Sequence, residues 1–248
     1  MESFANRGQR IAFFGGSFDP PHFGHLAIAR AARAALSLNR ILFAPVGTQP
    51  LKPIGSSAFF PDRLAMTELA IAGEQGFEIS FTDAPRPDGA PNYTLTTLVN
   101  LRTSISPLDQ LYFLLGADSF FNLRHWHRAA DIPFAAQLIV ASRPGESLSS
   151  LAAALPDGIQ LDPAPVFDSS CRGVRVIEFC LHGVGGERTS LYLLPGLNYE
   201  VSASLIRKQC RIEETGPDAL LASVPQSVAD YIRSRRLYSS LAPTATSD

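Results

Sequence analysis

The chain has 248 residues, of which 46% are hydrophobic and 18% charged, with 21 basic and 23 acidic side chains for a net charge of -2. That content is enough for a large core in one domain, lacks the basic field that nucleic acid needs, and contains no apolar run near the ~18 residues that would span a bilayer. Three cysteines, Cys171, Cys180 and Cys210, are odd in number and have no Cys-x-x-Cys spacing, which argues against a disulfide framework or zinc ribbon; with no apolar signal segment at the N-terminus, the chain is read as cytoplasmic.

From residue 11 the sequence runs Ile-Ala-Phe-Phe-Gly-Gly-Ser-Phe-Asp-Pro-Pro-His-Phe-Gly-His-Leu. Residues 11–14 form a short continuous apolar run, the pattern of a strand buried on both faces of a parallel sheet. The strand is expected to end at Gly15. Gly15 and Gly16 let the main chain approach a ligand with no Cβ in the way, and Pro20 and Pro21 delay the following helix until about Gly24. From His25 the Ala-rich stretch to Leu36 is strongly helix-forming, with Leu26, Ile28, Ala29, Ala32 and Leu36 on one face. His22 and His25 therefore stand at a helix N-terminus, where unpaired N–H groups and the positive dipole end attract anions and imidazoles add donors. The segment reads as a phosphate cradle contributed by Gly15, Gly16, Ser17, Phe18 and Gly24. Two histidines three apart could instead ligate a metal, but zinc needs three or four ligands and no Cys, Asp or Glu pair lies nearby at ligand spacing, so no metal is assigned to the protein itself.

Downstream, residues 40–46 read as a second strand, whose exit loop carries Lys52. Residues 60–72 read as a helix with apolar Leu64, Leu69 and Ile71 and a solvent-facing Arg63. Residues 77–81 alternate as a third strand. A Pro-rich loop then leads to Tyr93-Thr94 and a helix, capped by a Thr, that buries Leu95, Leu98 and Leu101. A fourth strand at 110–115 places Asp118 just past its end, where a carboxylate either accepts ribose hydroxyls or caps a helix. A fifth, at 137–142, ends at Arg143, which either approaches a ligand or pairs with a surface acid. Residues 146–190 read as a helix-containing surface insertion without catalytic content, closing in a hairpin of residues 174–181 and 190–194 at the sheet edge. Ser202 is expected to cap a further helix beside Ser204, with Arg207 offering a planar charged fork to phosphate. Residues 242–248 form a polar tail. The alternation of elements predicts an α/β fold of one domain, a doubly wound, Rossmann-like parallel sheet with both phosphate motifs at its C-terminal edge.

Residues 15–26, Gly-Gly-Ser-Phe-Asp-Pro-Pro-His-Phe-Gly-His-Leu, resemble the His-x-Gly-His signature of the nucleotidyltransferase superfamily and specifically its nicotinate-nucleotide adenylyltransferases. Further blocks resemble the same family: Tyr93-Thr94 with Thr97-Leu98, Gly116-Ala117-Asp118-Ser119 followed by Trp126, Arg143-Pro144-Gly145, and Ser202-Ala203-Ser204 ahead of Arg207, where Ala203 replaces a Ser. The resemblance spans about residues 10–240. It implies transfer of AMP from ATP to nicotinate mononucleotide, giving deamido-NAD and pyrophosphate, with Mg2+ carried in on ATP and with neither nucleic acid nor membrane as partner. His22, His25 and Arg207 would be catalytic, the imidazoles and the guanidinium supplying positive charge. Gly15, Gly16, Ser17, Phe18, Gly24, Asp118, Ser202 and Ser204 would hold ATP. Lys52, Tyr93, Thr94, Trp126, His127 and Arg143 would hold the acceptor, its carboxylate on the helix N-terminus at Tyr93-Thr94 and its ring against Trp126. Leu51, where the family usually has His, would only pack. The alternatives are a nucleotidyltransferase of the same fold using nicotinamide mononucleotide or a pantetheine phosphate, or a nucleotide-binding regulator without catalysis.

Overall fold

In the computed structural model the described residues are 8–51, 55–142, 148–197, 201–211 and 220–239. The apolar runs become the central strands of one sheet: β1 (Arg10–Gly16), β2 (Arg40–Pro45), β3 (Phe77–Ile79), β4 (Gln110–Gly116) and β5 (Gln137–Ala141). The sheet order is β3-β2-β1-β4-β5, all parallel. The chain thus winds outward from β1 to β3 and then returns to start again at β4, which leaves a crevice between the C-terminal ends of β1 and β4 where open α/β sheets bind ligands. Successive strand residues point to opposite faces, so Ile11 and Phe13 pack with Leu95, Leu98 and Leu101 of helix α3 (Thr94–Ser104), while Ala12 and Phe14 pack with Leu26 and Ala29 of helix α1 (Phe23–Leu36).

The sheet does not end at β5. After two 3-10 turns, α5 (Ile132–Ala135) and α6 (Leu148–Ala153), strands β6 (Gln160–Leu161), β7 (Phe167–Cys171), β8 (Val174–His182) and β9 (Arg188–Leu194) extend it; α4 (Ala117–Phe121) follows β4 directly. Strand β9 joins β5 in parallel, and β8 pairs antiparallel with β9, β6 and β7, making nine strands among the described residues. The region expected as a surface insertion therefore contributes to the core, because Leu151, Phe179, Leu181 and Leu191 close the same apolar layer as α3. Its hairpin is built into the sheet through β9, with only β7 and β6 beyond it.

A third apolar cluster lies apart from the two faces of the sheet. Met66 and Ala70 of α2 (Phe60–Ile71), Ile206 of α7 (Ala203–Arg211), and Val228, Ala229 and Ile232 of α8 (Gln226–Ser234) close on one another with Tyr238. The buried face of α2 also carries Arg63 and Thr67, in step with Met66 and Ala70, so Arg63 faces inward at 2% exposure rather than out to solvent.

Candidate functional site

Strand β1 runs one residue further than expected, to Gly16, and the following loop delivers His22 as the N-cap of α1. The main-chain N–H of His22 donates to Nδ1 of His25 at 3.2 Å, and the two rings stack with centroids 3.7 Å apart. Because Nδ1 of His25 is an acceptor, its neutral ring carries the proton on Nε2. Burial lowers the His22 pKa to about 4, and burial together with the adjacent His22 ring holds His25 well below the ordinary imidazole range. Both rings are thus neutral near pH 7 in the unliganded protein. That corrects the expectation that they bring positive charge: as neutral rings they offer N–H donors.

Each residue of the glycine loop has a definite place. A Cβ on Gly15 would lie 2.9 Å from the Phe13 ring, and one on Gly16 would lie 3.3 Å from the Phe18 ring. Phe18 itself, expected at the nucleotide, is 1% exposed and packs edge-on against Phe14 and His25, its backbone at φ 46°, so only its main chain is available to a ligand. Ser17 Oγ donates to Gln49 at 3.3 Å, and Gly24 is buried in the first turn of α1.

The second helix tip reaches the same loop. Ser202 Oγ accepts the Leu205 N–H at 3.3 Å and lies 3.2 Å from Ser204 Oγ, so the expected cap is in place. Nη1 of Arg207 donates to the carbonyl of Asp19 at 2.6 Å and lies 3.9 Å from Oδ2 of that residue. The tip of α7 and the cradle of α1 are therefore joined directly, as the sequence motifs require.

On the acceptor side, α3 begins at Thr94 with Tyr93 as N-cap and no side-chain capping bond, in place of the expected Thr cap. Tyr93 lies over His127 with ring centroids 4.4 Å apart. Trp126 is partly buried against Phe113 at 6.1 Å. Asp118 sits exposed in the first turn of α4, whose N-cap is Gly116, so it is not itself the cap. Asn92 exchanges two hydrogen bonds of 3.0 Å with Thr48, its Oδ1 accepting the Thr48 N–H and its own N–H donating to the Thr48 carbonyl, which fixes the start of α3 beside the loop after β2. Lys52 and Arg143 lie outside the described residues.

The cytidylyltransferase-like family profile matches residues 13–209, a span containing both helix tips. A probable nicotinate-nucleotide adenylyltransferase of Pelobacter propionicus is 37% identical over 232 residues, 93% of this chain and 98% of that one. A second, of Gloeobacter violaceus, is 35% identical over 93% of this chain and 97% of its own length. The chain belongs to the nicotinate-nucleotide adenylyltransferase family. Among solved structures, the nicotinic acid mononucleotide adenylyltransferase of Plasmodium falciparum complexed with NaAD superposes with a TM-score of 0.66 at 16% identity, covering 93% of this chain and 97% of that one. That likeness concerns the fold.

Within this family member, one residue expected to face solvent, Arg63, and two with no role assigned from the sequence, Asp83 and Asp19, hold the site together. Arg63 donates to the carbonyls of Ser17 (2.7 Å), Val46 (2.8 Å) and Ala58 (3.2 Å), and burial lowers its pKa. Asp83, 4% exposed, accepts the Thr97 hydroxyl beside Gly15, with its pKa raised by burial. Asp19 is the third. The helical period that sets Arg63 in step with Met66 and Ala70 was a usable signal; Asp19 and Asp83 left none, since their partners are distant in sequence. Among the described residues the one Cys/His/Asp group with metal-like spacing is Asp162, Cys180 and His182. It lies at the opposite, N-terminal edge of the sheet, with the Arg188 guanidinium against Cys180. A cavity of about 460 Å³ lined by Arg102, Asp109 and Gln137 also lies at that edge and includes none of the predicted site residues.

Proposed function

We propose that the protein transfers AMP from ATP to nicotinate mononucleotide, releasing deamido-NAD and pyrophosphate. The observation that carries this reading is the direct bond from Arg207 on α7 to the Asp19 carbonyl, which ties a guanidinium to the loop whose end, at the α1 N-terminus, carries two stacked imidazoles. A phosphate oxygen of the mononucleotide attacks the α-phosphorus of ATP, a new P–O bond forms, and the bond to the β-phosphate breaks. The attacking oxygen is already anionic at neutral pH, so no protein base or nucleophile is needed; the protein's part is alignment and stabilisation of charge on the triphosphate.

In this scheme His22, His25 and Arg207 act on the phosphates as catalytic groups, with Gly15, Gly16, Ser17, Gly24, Ser202 and Ser204 lining the nucleotide. Asp118, exposed just past β4, would accept ribose hydroxyls in this scheme. The N-terminus of α3 at Tyr93-Thr94 suits the acceptor carboxylate, with His127 against Tyr93 and Trp126 next in sequence; Lys52 and Arg143 are assigned to the acceptor from the sequence alone. Mg2+ carried by ATP would neutralise phosphate charge while keeping mostly water and phosphate ligands, since the carboxylates near the cradle, Asp19 and Asp83, are buried and engaged by Ser57, Ala58, Tyr238 and Thr97. A cytoplasmic setting belongs to the same reading: the cysteines are free, and no helix of the described residues is long and apolar enough to cross a membrane.

The test is pyrophosphate release from ATP with nicotinate mononucleotide, nicotinamide mononucleotide and a phosphorylated pantetheine as acceptors. Turnover is expected with the first above the second and none with the third. Equal or faster turnover with the amide, or release only with the pantetheine, would replace the acceptor assigned here.

A further inference from the structure

Asp19 is 4% exposed and gathers four parts of the chain. Its carboxylate accepts the N–H groups of Ser57 at 2.6 Å and Ala58 at 3.0 Å and the hydroxyl of Tyr238 at 2.8 Å, while its own carbonyl accepts Arg207 Nη1 at 2.6 Å. Arg63 closes the same assembly from below through Ser17, Val46 and Ala58. Tyr238 comes from beyond α8, 219 positions away, with φ 65°, and is itself 8% exposed. Burial and the Asp19 charge push its phenol far above the ordinary range, so it stays a donor.

The geometry points to Tyr238 and Asp19 as positioning residues for the transfer: the C-terminal phenol fixes Asp19, and Asp19 fixes the Arg207 guanidinium relative to the His22/His25 pair. An arginine side chain is long and costly to immobilise; with Nη1 tied to the Asp19 carbonyl, its Nε and Nη2 have no hydrogen-bond partner among the described residues and would receive phosphate oxygens in a set orientation. Alignment is the main contribution asked of this site, and small displacements of a charged group are expensive there. With the phenol removed, the Ser57 and Ala58 N–H groups still tether the Asp19 carboxylate but one of its three bonds is gone, so Asp19 is held less tightly and its carbonyl orients Arg207 less sharply, without the cradle being dismantled. This rests on Arg207 acting on the phosphates, as proposed above.

The experiment is a double-mutant cycle in the full chain, Tyr238→Phe with Arg207→Lys, read by pyrophosphate release. Tyr238→Phe alone is expected to lower kcat about tenfold, the effect of one lost hydrogen bond to a charged group, while changing KM for ATP less than about twofold. In the Arg207→Lys background the same change is expected to cost less than about twofold, because the group it orients is already altered. Asp19→Asn, which keeps the side-chain shape and the main-chain carbonyl, runs the same cycle should Tyr238→Phe fold poorly. An equal loss in both backgrounds would assign Tyr238 a purely structural role, and full activity of Tyr238→Phe beside a crippled Arg207→Lys would likewise overturn the inference. Full turnover by Arg207→Lys and Arg207→Ala would instead remove Arg207 from the reaction and this inference with it.

Discussion

Burial of His22 makes the stability of the protein pH-dependent in a calculable way. Its folded pKa of about 4 lies below the ordinary 6.5, so the unfolded chain binds the proton more readily and the native state loses stability as pH falls between those values. The contribution is fully present above 6.5 and gone below about 4. Integrating the linkage between about pH 7.5 and about pH 5 gives a loss of about 2 kcal/mol from His22, with His25 adding in the same direction. The perturbation is His22→Asn, which keeps an N-cap side chain while removing the titrating ring. Urea unfolding of both proteins at the two pH values gives the comparison, because the baseline change from the substitution cancels in the difference. Wild type should lose about 2 kcal/mol more than the variant on acidification. Identical losses would refute the argument, since they would mean that His22 titrates alike in the folded and unfolded chains.

Arg63→Leu should destabilise the protein by about 3–5 kcal/mol, because it strips the donors from three carbonyls inside the fold; thermal and urea midpoints measure it, and a change under about 1 kcal/mol would contradict the clasp described above. His25→Ala should lower kcat by about 10²–10³ with an unchanged far-ultraviolet circular dichroism spectrum, the cost of one lost donor to a transition-state oxygen. Leu181→Ala, in the region expected to lie on the surface but fully buried at 0% exposure, should cost about 2–5 kcal/mol in urea unfolding, whereas a surface insertion would lose almost nothing.

The parts of the fold that were legible are those set by neighbours in sequence. Gly15 to Gly24 specify strand, loop and helix within a few residues of one another, and Ser202 specifies a cap three residues ahead of its partner, so both helix tips were readable. The tie between them was not, because Asp19 meets Arg207 only after the whole sheet is assembled. The protonation of His22 and His25 was misread for a different reason: a helix N-terminus is visible in the sequence, but that the nearby Phe14 and Phe18 rings turn back onto His25 and dry it depends on how the loop packs. In residues 146–190 the polar opening disguised the apolar strands behind it. The alternation of β8 at Phe179 and Leu181 was visible as a strand, yet nothing local announced that its partner β9 would lie beside β5.

The cluster formed by α2, α7 and α8 closes on itself, and whereas Ile71 of α2 packs against the sheet, Arg207 of α7 and Tyr238 after α8 meet the cradle through polar contacts to Asp19. Such a unit has its own cooperative opening, with a free energy lower than that of the sheet. Under mild urea the enzyme should therefore fall silent before it melts: turnover fades as Arg207 swings away, while the nine strands still exclude deuterium from their amides.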